Sequence, residues 1–148
     1  MTGDRELNEA GYRASEARFV CVRLLPGQEL VRALRRVAAE TGLRAGYVAG
    51  AVGSLSQANL RFAGRPEGCV LTGCFEVVSL IGTLDAEGEH LHMAVSDPEG
   101  RMTGGHVLEG CIVRTTMELV IGHLTGVRFS RSPCPLSGYE ELRVDGIE

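Results

Sequence analysis

The sequence predicts an α+β fold, a mostly antiparallel sheet of about six to eight strands packed on one main helix. Three observations carry that expectation. Only one segment, 29–41, has the 3.6-residue apolar period of an amphipathic helix. The rest of the chain breaks into short β-type segments separated by Gly, Pro and Asp clusters, as short antiparallel connections require. And 148 residues with 44% hydrophobic content make one domain with a real core, too short for two comfortable ones.

In order along the chain, residues 1–17 are polar and aperiodic and read as a flexible tail, so the single domain is expected over 18–148. FVCVRL (19–24) reads as a strand. In the helix, Leu30, Ala33, Leu34, Val37, Ala38 and Thr41 form one apolar stripe, and Gly42 is placed to end it as a left-handed residue with Leu43 as the apolar contact behind it. Glu29, Arg32, Arg35, Arg36 and Glu40 occupy the other face, either a small basic patch or, as preferred here, a solvated face with an Arg36–Glu40 pair. Strands are then expected in AGYVAGAV, SLSQANLRF, CFEVVSLIGTL, EHLHMAVS, RMTGGHVLEG and CIVRTTMELVI, with a weaker candidate at GYEELRV.

Three of the four histidines, His90, His92 and His106, fall within GEHLHMAVSDPEGRMTGGHVLEG. In a strand, His-x-His places both imidazoles on one face. SDPEGR carries type I turn chemistry, with Asp97 at its first position, Pro98 next and Gly100 free to take the left-handed conformation. A three-residue hairpin loop of that kind pairs Asp97 with Arg101, and counting back sets His92 opposite His106 with His90 on the diagonal. Gly104-Gly105 is open to two readings: a bulge that would turn His106 to the other face, or a point where backbone or ligand comes close. Leu91, Met93 and Val95 are apolar while His90, His92 and Ser96 alternate with them, so the histidines belong on the sheet face away from the helix. In CFEVVSLIGTL both faces are apolar, Phe75, Val77 and Ile81 against Val78, Leu80 and Leu84. One helix cannot cover both, which points to a subunit interface.

Composition restricts the function classes. No run of 18 apolar residues exists and the first residues lack an apolar signal core, so a soluble, unexported protein with no membrane role is expected. Five scattered cysteines without a C-x-x-C pair argue against a disulfide framework or a thiolate zinc knuckle, and fit a reducing cytoplasm. A net charge of −4 disfavours nucleic acid as the main partner, although DNA stays open as a partner. All 15 basic residues are arginine.

From Arg18 to about Ile121 the chain resembles the plants-and-prokaryotes conserved (PPC) domain family. The resemblance is carried by GQELVRALRRVAAETGLRAGYVAGAVGSLSQANLRF, CFEVVSLIGTL and, most specifically, HLHMAVSDPEGRMTGGHVLEGCIVRTTMELVI. It implies a homotrimer with a curved sheet, and a metal bound through three histidines that match His90, His92 and His106. Zinc, or another divalent transition metal, suits three imidazoles and leaves an open coordination position. Glu118 is the preferred carboxylate to support a ligand or carry a proton, its alternative being an ion pair with an arginine such as Arg114; Glu76 is a weaker candidate and His123 is isolated. Two functions follow: a cytoplasmic trimer with the metal site near a subunit boundary, binding or transforming a small molecule, or a DNA-associated regulatory protein in which the metal is structural. Plant members carry an AT-hook; the nearest string here, Ala63-Gly64-Arg65-Pro66, lacks its first arginine and reads as a loop.

Overall fold

The computed structural model describes residues 12–147, so positions 1–11 of the expected tail lie outside the described residues. The elements are β1 (Ala17–Leu24), α1 (Leu30–Thr41), β2 (Gly46–Arg61), β3 (Cys69–Leu84), β4 (Glu89–Ser96), β5 (Met102–Val107), β6 (Ile112–Leu124), β7 (Val127–Pro133) and β8 (Glu140–Gly146). Six strands form one curved antiparallel sheet in the order β1-β6-β2-β3-β4-β5, while β7 and β8 pair as a separate hairpin. The fold is α+β as expected.

Helix α1 starts one residue later than its periodicity suggests. Glu29 is the N-cap, extended at φ −92° and ψ 127°, and its carboxylate accepts from the backbone N–H of Arg32 at 2.7 Å. The same side chain accepts from the N–H groups of Gly110 and Cys111 at 3.0 and 3.1 Å, tying the helix start to the loop before β6. Glu29 therefore belongs to a cap rather than to the solvated face. The buried stripe is Leu30, Val31, Leu34 and Ala38, with Ala33 and Val37 partly covered and Thr41 exposed. Gly42 ends the helix at φ 65°, and Leu43 donates back to the Ala38 carbonyl at 2.9 Å with its side chain buried.

The two strands expected between residues 45 and 62 are one. Gly53 does not interrupt β2; it pairs with Val77 on β3 and Met117 on β6, and a Cβ there would run into the Thr116–Met117 backbone. A glycine inside a strand here marks close approach of a neighbouring strand, not a turn. Leu55, Ala58 and Leu60 of β2 have no solvent exposure, which makes this strand the spine of the core. Its far end bends round to pair with β5, Leu60 opposite Val107 and Arg61 opposite His106, so β2, β3, β4 and β5 close on themselves.

In β3 a register shift between Val77 and Ser79 breaks strict alternation. Val77 and Leu80 both turn inward, leaving Val78 and Ile81 outside at 53% and 60% exposure. The expected division, Val77 with Ile81 and Val78 with Leu80, is thus corrected by one inserted residue. Strand β7, which the sequence reading passed over, carries the alternating pair Val127 and Phe129, which pack with Ala45, Leu142 and Val144 in a small second core.

Leu91 is 1% exposed and joins the main core, whereas its neighbour His92 points outward. Leu91→Ala is expected to cost metal-free protein about 2–5 kcal/mol by leaving a cavity. His92→Ala should stay within about 0.5 kcal/mol, as surface substitutions do. Denaturant unfolding of the two variants checks this; similar losses would show that the faces of β4 are misassigned.

Candidate metal centre

The β4–β5 hairpin brings the histidines together through its turn. Asp97 N–H donates to the Arg101 carbonyl at 3.0 Å and Gly100 N–H to the Asp97 carbonyl at 2.9 Å, with Gly100 at φ 78°. The Asp97 carboxylate also accepts from the backbone of Glu99 and Arg101 at 3.0 and 2.9 Å, fastening the loop in the geometry its residues favour. From there the ladder runs without a bulge through Ala94–Gly104 and Met93–Gly105 to His92 opposite His106. Gly104-Gly105 thus serves close approach: a Cβ on Gly105 would stand 2.7 Å from the Arg61 carbonyl oxygen.

The three rings stand with centroids 5.1, 5.2 and 5.7 Å apart. One nitrogen from each of His90, His92 and His106 lies within 4.8 Å of the others, close enough for one ion to reach all three after small rotamer changes. His90 and His92 are exposed and His106 half-buried, so the group is open on one side. Burial, then His92 and Arg131, push the His90 imidazole below its usual range; burial, then Arg61, do the same to His106. Both are therefore neutral near pH 7, which is the form that donates to a metal.

The other candidates stand apart from this group. Glu118 on β6 pairs with Arg23 and Val52 and lines a different concavity, about 620 Å³, with Cys21 and Val120. Among the described residues it forms no ion pair with Arg114. Glu76 pairs with Ser96, four residues along β4 from His92 or roughly 13 Å at strand rise. His123 pairs with Arg18 and Gly46, and strands β2 and β3 lie between it and the histidines of β4; burial together with Arg44 and Arg18 lowers its pKa. Ala63-Gly64-Arg65-Pro66 is an exposed turn, with Arg65 N–H on the Phe62 carbonyl at 3.0 Å and Gly64 at φ 73°.

The site also includes residues that sequence reasoning missed. Arg61, placed beside His106 by the β2–β5 pairing, lines both concavities that flank the histidines, and Tyr139 from the start of the β8 arm lines both with it. No local signal marks either one, since Arg61 is 45 residues from His106 (106 − 61) and the contact exists only because the sheet closes.

A model of the Plants and Prokaryotes Conserved (PCC) domain matches residues 12–125. The chain belongs to that family. The PPC-domain match is accompanied by a solved structure of a hypothetical protein from Salmonella enterica, 54% identical, covering 92% of this chain and 99% of that one with a TM-score of 0.90. Two more distant solved structures, each 22% identical, share the fold. One, from Bacteroides thetaiotaomicron, is described as a candidate DNA-binding protein (TM-score 0.74, covering 88% of this chain and 98% of that one). The other, from Archaeoglobus fulgidus, is described as metal-containing (TM-score 0.75, covering 89% and 99%). A curated relative, the bifunctional protein GlmU of Synechococcus sp. (strain JA-3-3Ab), is 47% identical over 126 residues, which are 85% of this chain but only 20% of the relative. The PPC-like chain thus spans about a fifth of the length of that relative.

The lowered pKa values of His90 and His106 give a sign for pH. The unfolded chain, with imidazoles near pKa ~6.5, binds more protons than the folded one as pH falls. Metal-free protein should keep this part of its stability above about pH 6.5 and lose it as pH drops through the folded-state values. Thermal midpoints of chelator-treated protein between about pH 7.5 and about pH 5 should fall less steeply in a His90→Asn, His106→Asn variant. Equal slopes would show that the two imidazoles titrate alike in both states.

Proposed function

We propose that the protein is a metal-binding PPC-domain trimer whose three-histidine centre, near a subunit boundary, binds or transforms a small molecule. The observation that carries this reading is the convergence of His90, His92 and His106, with one nitrogen of each within 4.8 Å of the others on the open outer face. Three imidazoles suit zinc or a related divalent transition metal, which these three side chains would hold with a position left for water or ligand. Such an ion supplies Lewis acidity and a water of lowered pKa. The chain's own residues orient and enclose: Gly105 lets β2 close in beside His106, and Arg61 and Tyr139 stand at the rim.

Trimerisation is supported by the outer face of the sheet. Phe19, Val52, Val78 and Ile81 are each more than half exposed, and Ile81 lies directly across from His92 in the ladder. Apolar residues on a sheet face with no helix over them are the usual mark of an interface. In this reading Glu118, remote from the histidines of its own chain, serves a site only across such a boundary.

A DNA-associated role, suggested by the description of one distant relative, has less support in this chain's charges. Arg32 pairs with Glu109, Arg35 with Glu89 at 2.8 Å and Glu109 at 3.3 Å, and Arg36 with Glu40 at 2.7 Å. The helix face that offered a basic patch is therefore neutralised, and phosphate contacts need free cations.

Purified protein is expected to carry about one zinc-like ion per chain, and His92→Ala to lose it where His123→Ala does not. Elemental analysis checks this; equal retention in the two variants would remove the metal centre. Light scattering on a sizing column should report about three times the 15.8 kDa chain mass, and a clean monomer at about micromolar concentration would sink the interface.

A further inference from the structure

Beside the histidine centre stands an arginine side chain, Arg61. Arg61 is the last residue of β2, half-buried, and the cross-strand neighbour of His106. Among the described residues it is in no ion pair and no side-chain hydrogen bond. Arg131, the other guanidinium of the smaller cleft, is already committed: it reaches the buried Asp85 carboxylate and the Thr83 hydroxyl, each at 3.4 Å. Arg61 thus presents an unused fork of donors to a cleft of about 360 Å³ whose lining includes His90 and His106. Guanidinium groups in such positions bind carboxylate or phosphate through two parallel hydrogen bonds.

The rim of the same cleft separates those two ligands. Glu87 and Glu89 are engaged, Glu87 accepting from the Arg131 backbone at 3.1 Å and Glu89 holding Arg35. Glu140 and Glu141 line the same cleft as His90 and have no cationic partner among the described residues. Their negative field opposes a phosphate dianion more than a singly charged group, since repulsion grows with ligand charge.

We propose that this cleft takes a small molecule through a carboxylate group, which Arg61 holds beside the three-histidine centre. The proposal rests on the metal-centre reading in one respect, that an ion on the imidazoles shares the anion with Arg61. Arg61 is then a binding residue for the ligand, and Glu140 and Glu141 select against phosphate esters and nucleic acid.

The test uses full-length protein and acetate, with binding read from broadening of the acetate methyl NMR signal, and metal content measured in parallel. Arg61→Gln is expected to keep its metal and native melting curve while acetate binding weakens about 10-fold or more, the range for a lost charge-assisted contact. Arg61→Lys, which keeps the charge and loses the fork, should fall between the two. Neutral acetamide should not compete, inorganic phosphate should bind less well than acetate, and Glu141→Gln should narrow that gap. Unchanged acetate affinity in Arg61→Gln overturns the proposal whether or not metal is present. Phosphate binding as tight as acetate in the native protein overturns the carboxylate assignment. Native protein that takes up no metal overturns the metal reading instead, and the comparison of native and Arg61→Gln affinities still decides the role of Arg61.

Discussion

The pairing of the last residues of β2 with β5 is the contact on which the rest of the arrangement depends. A 16-residue strand that begins between β3 and β6 must bend through its length to reach Val107 and His106. Three features permit it. Register shifts near Val48, Gly53 and Leu55 let the strand turn and increase its twist. Gly53 and Gly105 remove the Cβ atoms that would strike neighbouring backbone. And Leu55, Ala58 and Leu60, all without solvent exposure, bury enough apolar surface to hold the bend, at roughly 1.5–3 kcal/mol for each leucine. Closure at this point also removes a sheet edge that β5 would otherwise present unpaired.

What closure does for chemistry is bring three independent parts of the chain to one place. The β4–β5 hairpin supplies the imidazoles, the end of β2 supplies Arg61, and the β7–β8 arm supplies Tyr139 and two carboxylates. The arm is anchored separately, by Val127 and Phe129 in their own small core and by Arg131 on Asp85, whose side chain is fully buried. Helix α1 steadies the other side. Its Arg35 grips Glu89, the residue just before His90, through two hydrogen bonds of 2.8 and 2.9 Å. A centre whose supports come from different elements is held in orientation by each of them, which is what preorganisation requires.

The same architecture leaves a different face apolar. Inward-turning Val77 and Leu80 are possible only because of the bulge in β3, and that bulge sends Val78 and Ile81 outward, the latter in line with His92 and His106. The histidine row and the apolar row therefore share one surface. The assembly proposed above, by covering the apolar residues, would also wall the centre.

Local chemistry in the sequence determined the helix, its glycine stop, the turn at Asp97–Gly100 and, through that turn, the opposition of His92 and His106. Each depends on residues within a few positions of one another, where propensity and hydrogen-bond geometry leave one good solution. Motif resemblance extended this to the family, and the family match agrees. The sequence misled where a single inserted residue or a close approach set the outcome. Glycine at 53 looked like a break and proved to be a packing notch, and the faces of β3 changed phase at Val78. Arg61, Tyr139 and the acidic rim were not legible at all. Their roles exist only because distant segments meet, and alternation within a strand says which face a side chain takes but not which strand will lie beside it. That choice belongs to the tertiary structure, which weighs burial of β2 against bending it and places an arginine next to a histidine as the result.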